Sequence, residues 1–324
     1  MKSVPYEPSG ENADKRDRDH ASAEAMDVPA SLASLLHLAS HANLRLMMSP
    51  VCGLDMPGNV RPALVKRELM DRDDIPEHLR SDLEQTQLIV MSYVEFLFTV
   101  GAITQGDPQF KDSHLLRPLA QDLFESALSL RVLAQEGMQR VLTRELRFIV
   151  EASTKLCFVQ QRNYRSSFSE KLETFRKQLE SPRIPIRDLD LAMLSPQTTL
   201  AFIEDAGRLY GRTSSFIHWS AGQIHERMEE LEKGNSIGHE SVESVRATND
   251  LIRRSLAISL VLILHSVPEY VSGDFMVDSD GKTVQSYFLQ SKYLAEIDAN
   301  FDYKHERQKD LEEVRTRRAA RLAF

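Results

Sequence analysis

Cysteine occurs only twice in these 324 residues, as Cys52 and Cys157. Two thiols so far apart exclude a disulfide framework and a cysteine zinc cluster, and read as buried small apolar residues of a reducing compartment. Glycine and proline are also scarce, at 13 each, and long stretches pass without either. That excludes the many turns of an all-β chain, as does the near absence of strand-like alternation. No HExxH motif, glycine-rich phosphate loop, G-x-S-x-G elbow or Cys-His nucleophile pattern is present, so zinc peptidase, nucleotide hydrolase and acyl-transfer chemistry have no support. Neither His37 with His41 nor His218 with His225 has a carboxylate at close metal-ligand spacing, and no metal or cofactor is expected. Positive charge is in deficit, 40 Lys and Arg against 48 Asp and Glu, which excludes coating nucleic acid by bulk charge.

The N-terminus lacks an apolar leader. Residues 1–28 are polar and charged, and predict a disordered tail on a cytoplasmic protein. Two apolar runs, 88–104 and 255–267, invite a membrane reading. Glu95 interrupts the first and the second is too short to span, so both predict helices buried on all sides and no membrane partner.

What is present is helical periodicity in a chain 42% hydrophobic, enough for a large core. Helices are expected at Pro29–Met48, Pro62–Asp71 and Ile75–Thr104. A pair hinged at Gly137 follows, with Ser113 as cap, and then a short charged helix through 166–181. A proline-bounded connector at 182–197 leads to helices at Pro196–Lys233 and His239–Tyr270. The turn-rich 272–282 and two C-terminal helical stretches complete the chain. The last carries Arg315, Arg317, Arg318 and Arg321, which read as a solvated helix end suited to the dipole or as a phosphate-binding arm.

Chemistry concentrates in "RLYGRTSSFIHWSAGQIHERM", residues 208–228. At about 100° per residue, Tyr210, Ser214, His218 and His225 share one polar stripe. Arg212 lies six residues before His218, about 120° around the helix, so the two converge on one phosphate only if the arginine reaches around or a second copy of the helix packs against the first. Trp219 is expected to pack. A second constellation sits in "TRELRFIVEASTKL", where Arg147 and Glu151 are four apart and Arg140 and Arg144 extend the edge. The pair reads either as a surface ion pair of little value or, given the apolar residues around it, as a partly buried pair aimed at His218.

The phrase "YGRTSSFIH", with the upstream "RFIVEA" helix, resembles the signature of an uncharacterised bacterial all-helical family related to the HEPN nuclease group. In that family a helix with Arg and then Glu precedes one with Tyr, a small hydroxyl residue and His, positions that fall here on Arg147, Glu151, Tyr210, Ser214 and His218. Thr213 departs from the pattern, which more often has an apolar residue there. "RTSSFIH" also fits the wider group's loose Arg-to-His spacing, through Arg212 and His218. The resemblance spans roughly residues 115–270.

It implies an all-α, HEPN-like helical bundle at 113–275 with additional N-terminal helices at 29–112 and C-terminal helices with a basic end at 276–324. It further implies a metal-independent ribonuclease or toxin of a bacterial defence or stress system, a homodimer acting on RNA. His218 would move protons at the ribose 2′-hydroxyl and 5′-oxygen while Arg212 holds the phosphate. Ser214 would orient the phosphate and Glu151 would fix the His218 tautomer, beside Tyr210. Arg147, Arg208 and the four C-terminal arginines are the candidate RNA contacts. The alternative from another class is a non-catalytic interaction protein, with a partner protein, in which the same Arg, Glu, Tyr, Ser and His form a satisfied polar network.

Overall fold

A computed structural model describes residues 77–324 apart from 109, 111, 182, 216–223, 226–227, 230–239 and 279. Expectations for residues 1–76, including the tail, the first two helices, Cys52, His37 and His41, lie outside the described residues, as do His218 and Trp219. The chain is all-α, with ten α-helices and no strand among the described residues.

Four long helices form a closed ring. They are α1 (Glu77–Gly106), α2 (Leu116–Gln135), α3 (Gln139–Arg162) and α6 (Val242–Leu264). α1 packs on α2, α2 on α3, α3 on α6 and α6 back on α1. Helix α5 (Pro196–Ser215) lies on α3 and α6, while α4 (Phe168–Glu180) lies on α3. The remaining helices are α7 (Glu269–Met276), α8 (Lys292–Asn300), α9 (His305–Gln308) and α10 (Leu311–Arg321). Buried side chains from 77–112, 113–275 and 276–324 meet in one core, exemplified by Phe96, Leu256 and Phe301.

α6 is the central element. Every residue from Ser255 to Leu264 is buried, as its uninterrupted apolar run predicts. The serines inside that run are satisfied across the ring: Ser259 Oγ lies 2.8 Å from Tyr93 Oη and 2.6 Å from Ser153 Oγ. α1 departs from expectation. It buries one stripe, Ile89, Val90, Tyr93, Phe96, Leu97 and Val100, while Leu88 is exposed and Glu95 half-buried. That three- and four-residue spacing is what a helix with neighbours on one side requires. By length and composition alone α1 also passes as a membrane span.

Helix ends follow local chemistry. Gly137 takes φ 68° and turns α2 into α3, as its position between two periodic runs predicts. Ser167 and Glu170 form a capping box that starts α4. The expected cap at Ser113 is replaced by His114, whose Nδ1 accepts from Leu116 N at 3.0 Å. The single helix expected from His239 to Tyr270 is two, because Pro268 has no N–H to continue α6 and disfavours helical backbone at Val267. The expected 272–282 loop is helical up to Met276 and then closes through Gly281 at φ 81°. A Cβ there would stand 1.9 Å from the Glu306 main-chain oxygen.

Candidate functional site

Arg147, Glu151 and Lys155 stand at successive four-residue steps along α3, and so share one face of it. α5 packs against α3 and brings Tyr210 to that face. Arg147 Nη2 donates to Tyr210 Oη at 3.0 Å, and Tyr210 Oη donates to Glu151 Oε2 at 3.3 Å. The Arg147 guanidinium carbon lies 5.2 Å from the centre of the Tyr210 ring and its Nη2 lies 3.6 Å from Glu151 Oε2. Lys155 Nζ completes the cluster at 2.6 Å from Glu151 Oε1.

Burial grades this cluster. The Arg147 and Glu151 side chains are 24% and 27% exposed, whereas Lys155 is 1% exposed. An ammonium taken out of water needs a counter-charge, so Glu151 is bound chiefly by the demand of Lys155. Sequence reasoning placed Arg147, Glu151 and Tyr210 together but missed Lys155. The repeat of the four-residue spacing was the signal that could have found it.

The rest of the stripe is less collected. Ser214 is half-buried, and its covered Oγ has no hydrogen-bond partner among the described residues. Thr213 is fully buried, with its hydroxyl on the Leu209 and Tyr210 carbonyls at 3.0 and 3.1 Å. The helix backbone thus absorbs its polarity, and it fills a position suited to an apolar side chain. Arg212 is exposed at the last described turn of α5. Arg208 is exposed too, and pairs with Glu204 at 3.4 Å and Asp205 at 2.5 Å. His225 is exposed, 3.2 Å from Glu229 Oε1. Whether Glu151 meets His218 lies outside the described residues.

The C-terminal arginines hold partners of this chain. Arg318 Nε donates to Asp298 Oδ2 at 2.6 Å and its Nη2 to Asp302 Oδ1 at 2.5 Å. Burial works against ionising Asp302, but its bonds to Arg318 and Arg315 prevail and hold its carboxyl below the usual range. Arg315 reaches Asp302 at 3.2 Å, Arg317 reaches Glu313 at 2.7 Å and Arg321 reaches Gln285 at 3.2 Å. Beneath them lies Arg307, fully buried and bonded to Met276 O, Thr283 Oγ1, Asp298 and Asp302. Nothing in its polar surroundings, "HERQKD", distinguishes Arg307 from a surface residue.

Four other titratable groups are enclosed. His114 Nε2 donates to Ser266 O at 2.9 Å, and His265 Nδ1 to Val261 O at 2.8 Å while its Nε2 accepts from Met193 N. Each ring makes one donor and one acceptor contact, the pattern of a neutral imidazole. Burial lowers both to about 4. Lys171 is fully buried with no partner for Nζ among the described residues, and burial lowers its pKa. Cys157 is likewise buried, which pushes its thiol up.

Among the described residues no group of three His, Cys, Asp or Glu could hold a metal ion. No protein-family model matches this chain, and no curated protein and no solved structure matches it as a relative.

Proposed function

We propose that the chain is a non-catalytic helical interaction protein in which Arg147, Glu151, Lys155 and Tyr210 clasp α5 to α3. One observation carries this reading: both oxygens of Glu151 are taken by groups of the same fold, Lys155 at 2.6 Å and Tyr210 at 3.3 Å. A carboxylate so engaged is a structural anchor, and its pairing with a buried ammonium rewards keeping it that way.

A second reading has its own support. Arg212 is exposed on α5 outside the clasp, and Ser214 Oγ is covered without a partner among the described residues. Together with the sequence resemblance, these favour a HEPN-like, metal-independent endoribonuclease acting as a homodimer in bacterial defence, with Arg212 and His218 at the phosphate.

One experiment separates the two. Purified protein is incubated with RNA in a chelator, beside Arg212→Ala, His218→Ala and Tyr210→Phe. The interaction reading predicts no cleavage by wild type and a lowered melting temperature for Tyr210→Phe. Metal-independent cleavage lost in both Arg212→Ala and His218→Ala overturns it in favour of the nuclease.

A further inference from the structure

Of the eleven residues of α10 one, Val314, is buried. A lone valine does not offset the conformational entropy of ordering a helix of that length. Charge completes the attachment of α10 to the elements it lies on, α9 and the turn at Tyr287–Gln290. Arg318 enters the fold until its side chain is 13% exposed and pairs there with Asp298 and Asp302, and Arg315 also reaches Asp302.

A second tie follows the helix. Ala323 N and Phe324 N donate to Gln290 O at 2.9 and 3.2 Å, and Phe324 O accepts from Lys292 N at 2.7 Å. The centre of the Phe324 ring stands 6.0 Å from that of Tyr287 and 5.0 Å from the Arg253 guanidinium carbon. Under α10 the seam is incompletely filled. A cavity of about 20 Å³ is bordered by Arg317, Arg318 and Arg321 together with Thr283, Gln285 and Leu289, where tight packing leaves few such gaps.

The receiving carboxylates do not depend on α10 alone. Asp298 Oδ1 is held by Nη2 of the fully buried Arg307, whose Nη1 also lies 3.4 Å from Asp302. Main-chain oxygens of Met276 and Asp298 fix Arg307 in turn. Arg318 can therefore leave without stranding a buried, unpaired acid.

We propose that residues 311–324 form an electrostatic strap that opens as a unit, and that the arginines it frees bind a polymer of phosphates. In the closed state Asp298 and Asp302 occupy the place that phosphates would take on Arg315 and Arg318. In the open state Arg315, Arg317, Arg318 and Arg321 recur at three- and four-residue steps, roughly 5–6 Å apart on a helix. Each presents a planar fork that matches two phosphate oxygens. A phosphate chain carries charge at every link and so engages several arginines at once. Opening and binding are thus linked, and whatever loosens the strap tightens the binding.

The test uses the full chain, with inorganic polyphosphate as the probe at constant ionic strength. Phe324→Ala removes the aromatic tie without changing charge, and Asp302→Asn weakens the ionic one. Glu312→Gln makes the same charge change at an exposed position of α10 and serves as control. Amide exchange at 311–321 should quicken at least tenfold in the first two variants, while the buried 255–264 run of α6 stays protected. Both should bind polyphosphate about tenfold more tightly than Glu312→Gln does, and polyglutamate more weakly than polyphosphate. Unchanged exchange at 311–321 in Phe324→Ala overturns the strap. Equal polyphosphate binding by Phe324→Ala and wild type, or equal affinity for polyglutamate, overturns the assignment of the partner. If Asp302→Asn loses protection in α6 as well, Phe324→Ala decides.

Discussion

Lys155 Nζ stands 2.6 Å from Glu151 Oε1, one helical turn away, with the lysine buried and the glutamate reachable by water. The asymmetry makes the two partners unequal under mutation. Glu151→Ala strands a buried ammonium and should cost about 3 kcal/mol. Lys155→Met leaves a half-exposed carboxylate that water and Arg147 still serve, and should cost much less. Chemical denaturation of both variants and of the double variant checks this. The double should be more stable than Glu151→Ala alone, and the reverse order would remove Lys155 from the account of the clasp.

His114 and His265 predict an acid-sensitive fold. In the unfolded chain they take protons near 6.5, but in the folded chain only near 4. Between those values the unfolded state binds more protons, so stability is full above about pH 6.5 and declines as pH falls toward 4, by about 3 kcal/mol for each ring. Below the folded value the loss levels off. Melting temperature measured across this range should fall steeply in wild type and less steeply in His114→Gln. An unchanged slope in that variant would exclude His114 as a cause.

Lys171 has the same sign with a different window. Its ammonium is buried without a partner and its pKa is lowered by that burial. Stability should therefore rise with pH toward the ordinary lysine value, as the unfolded chain keeps protons the folded chain releases. Lys171→Met should stabilise the protein at neutral pH by roughly 2 kcal/mol, read as a melting temperature several degrees higher. A lower melting temperature would mean that the lysine stem packs in a way methionine cannot copy.

These buried cations also mark where the sequence stops being legible. The long helices and the Gly137 turn follow from apolar spacing and punctuation, because α2 and α3 repeat their apolar residues at three and four. The pairing of Arg147 with Glu151 follows from the same spacing, and Tyr210 could be set on the right face of its own helix. That Lys155, Lys171 and Arg307 lie inside does not follow, since nothing local tells a buried cation from an exposed one. Their burial is decided by elements distant in the chain. Arg307, for example, needs Met276, Thr283 and Asp298 around it before its charge can be enclosed. The break between α6 and α7 was missed for a different reason: apolar periodicity runs on across 265–268, while the proline that ends it acts on the backbone.

The ring of α1, α2, α3 and α6 also sets an order of events during synthesis. The first three helices are consecutive and can associate locally as they emerge from the ribosome. Among the described residues their shared inward face is completed only when α6 appears, since α6 packs on both α1 and α3. Until then the side chains that meet α6, among them Tyr93 with its Ser259 contact, are without that cover. The half-made protein thus presents a sticky trough for the time taken to translate residues 163–264, the interval in which a chaperone that grips nascent apolar chains would have most to hold.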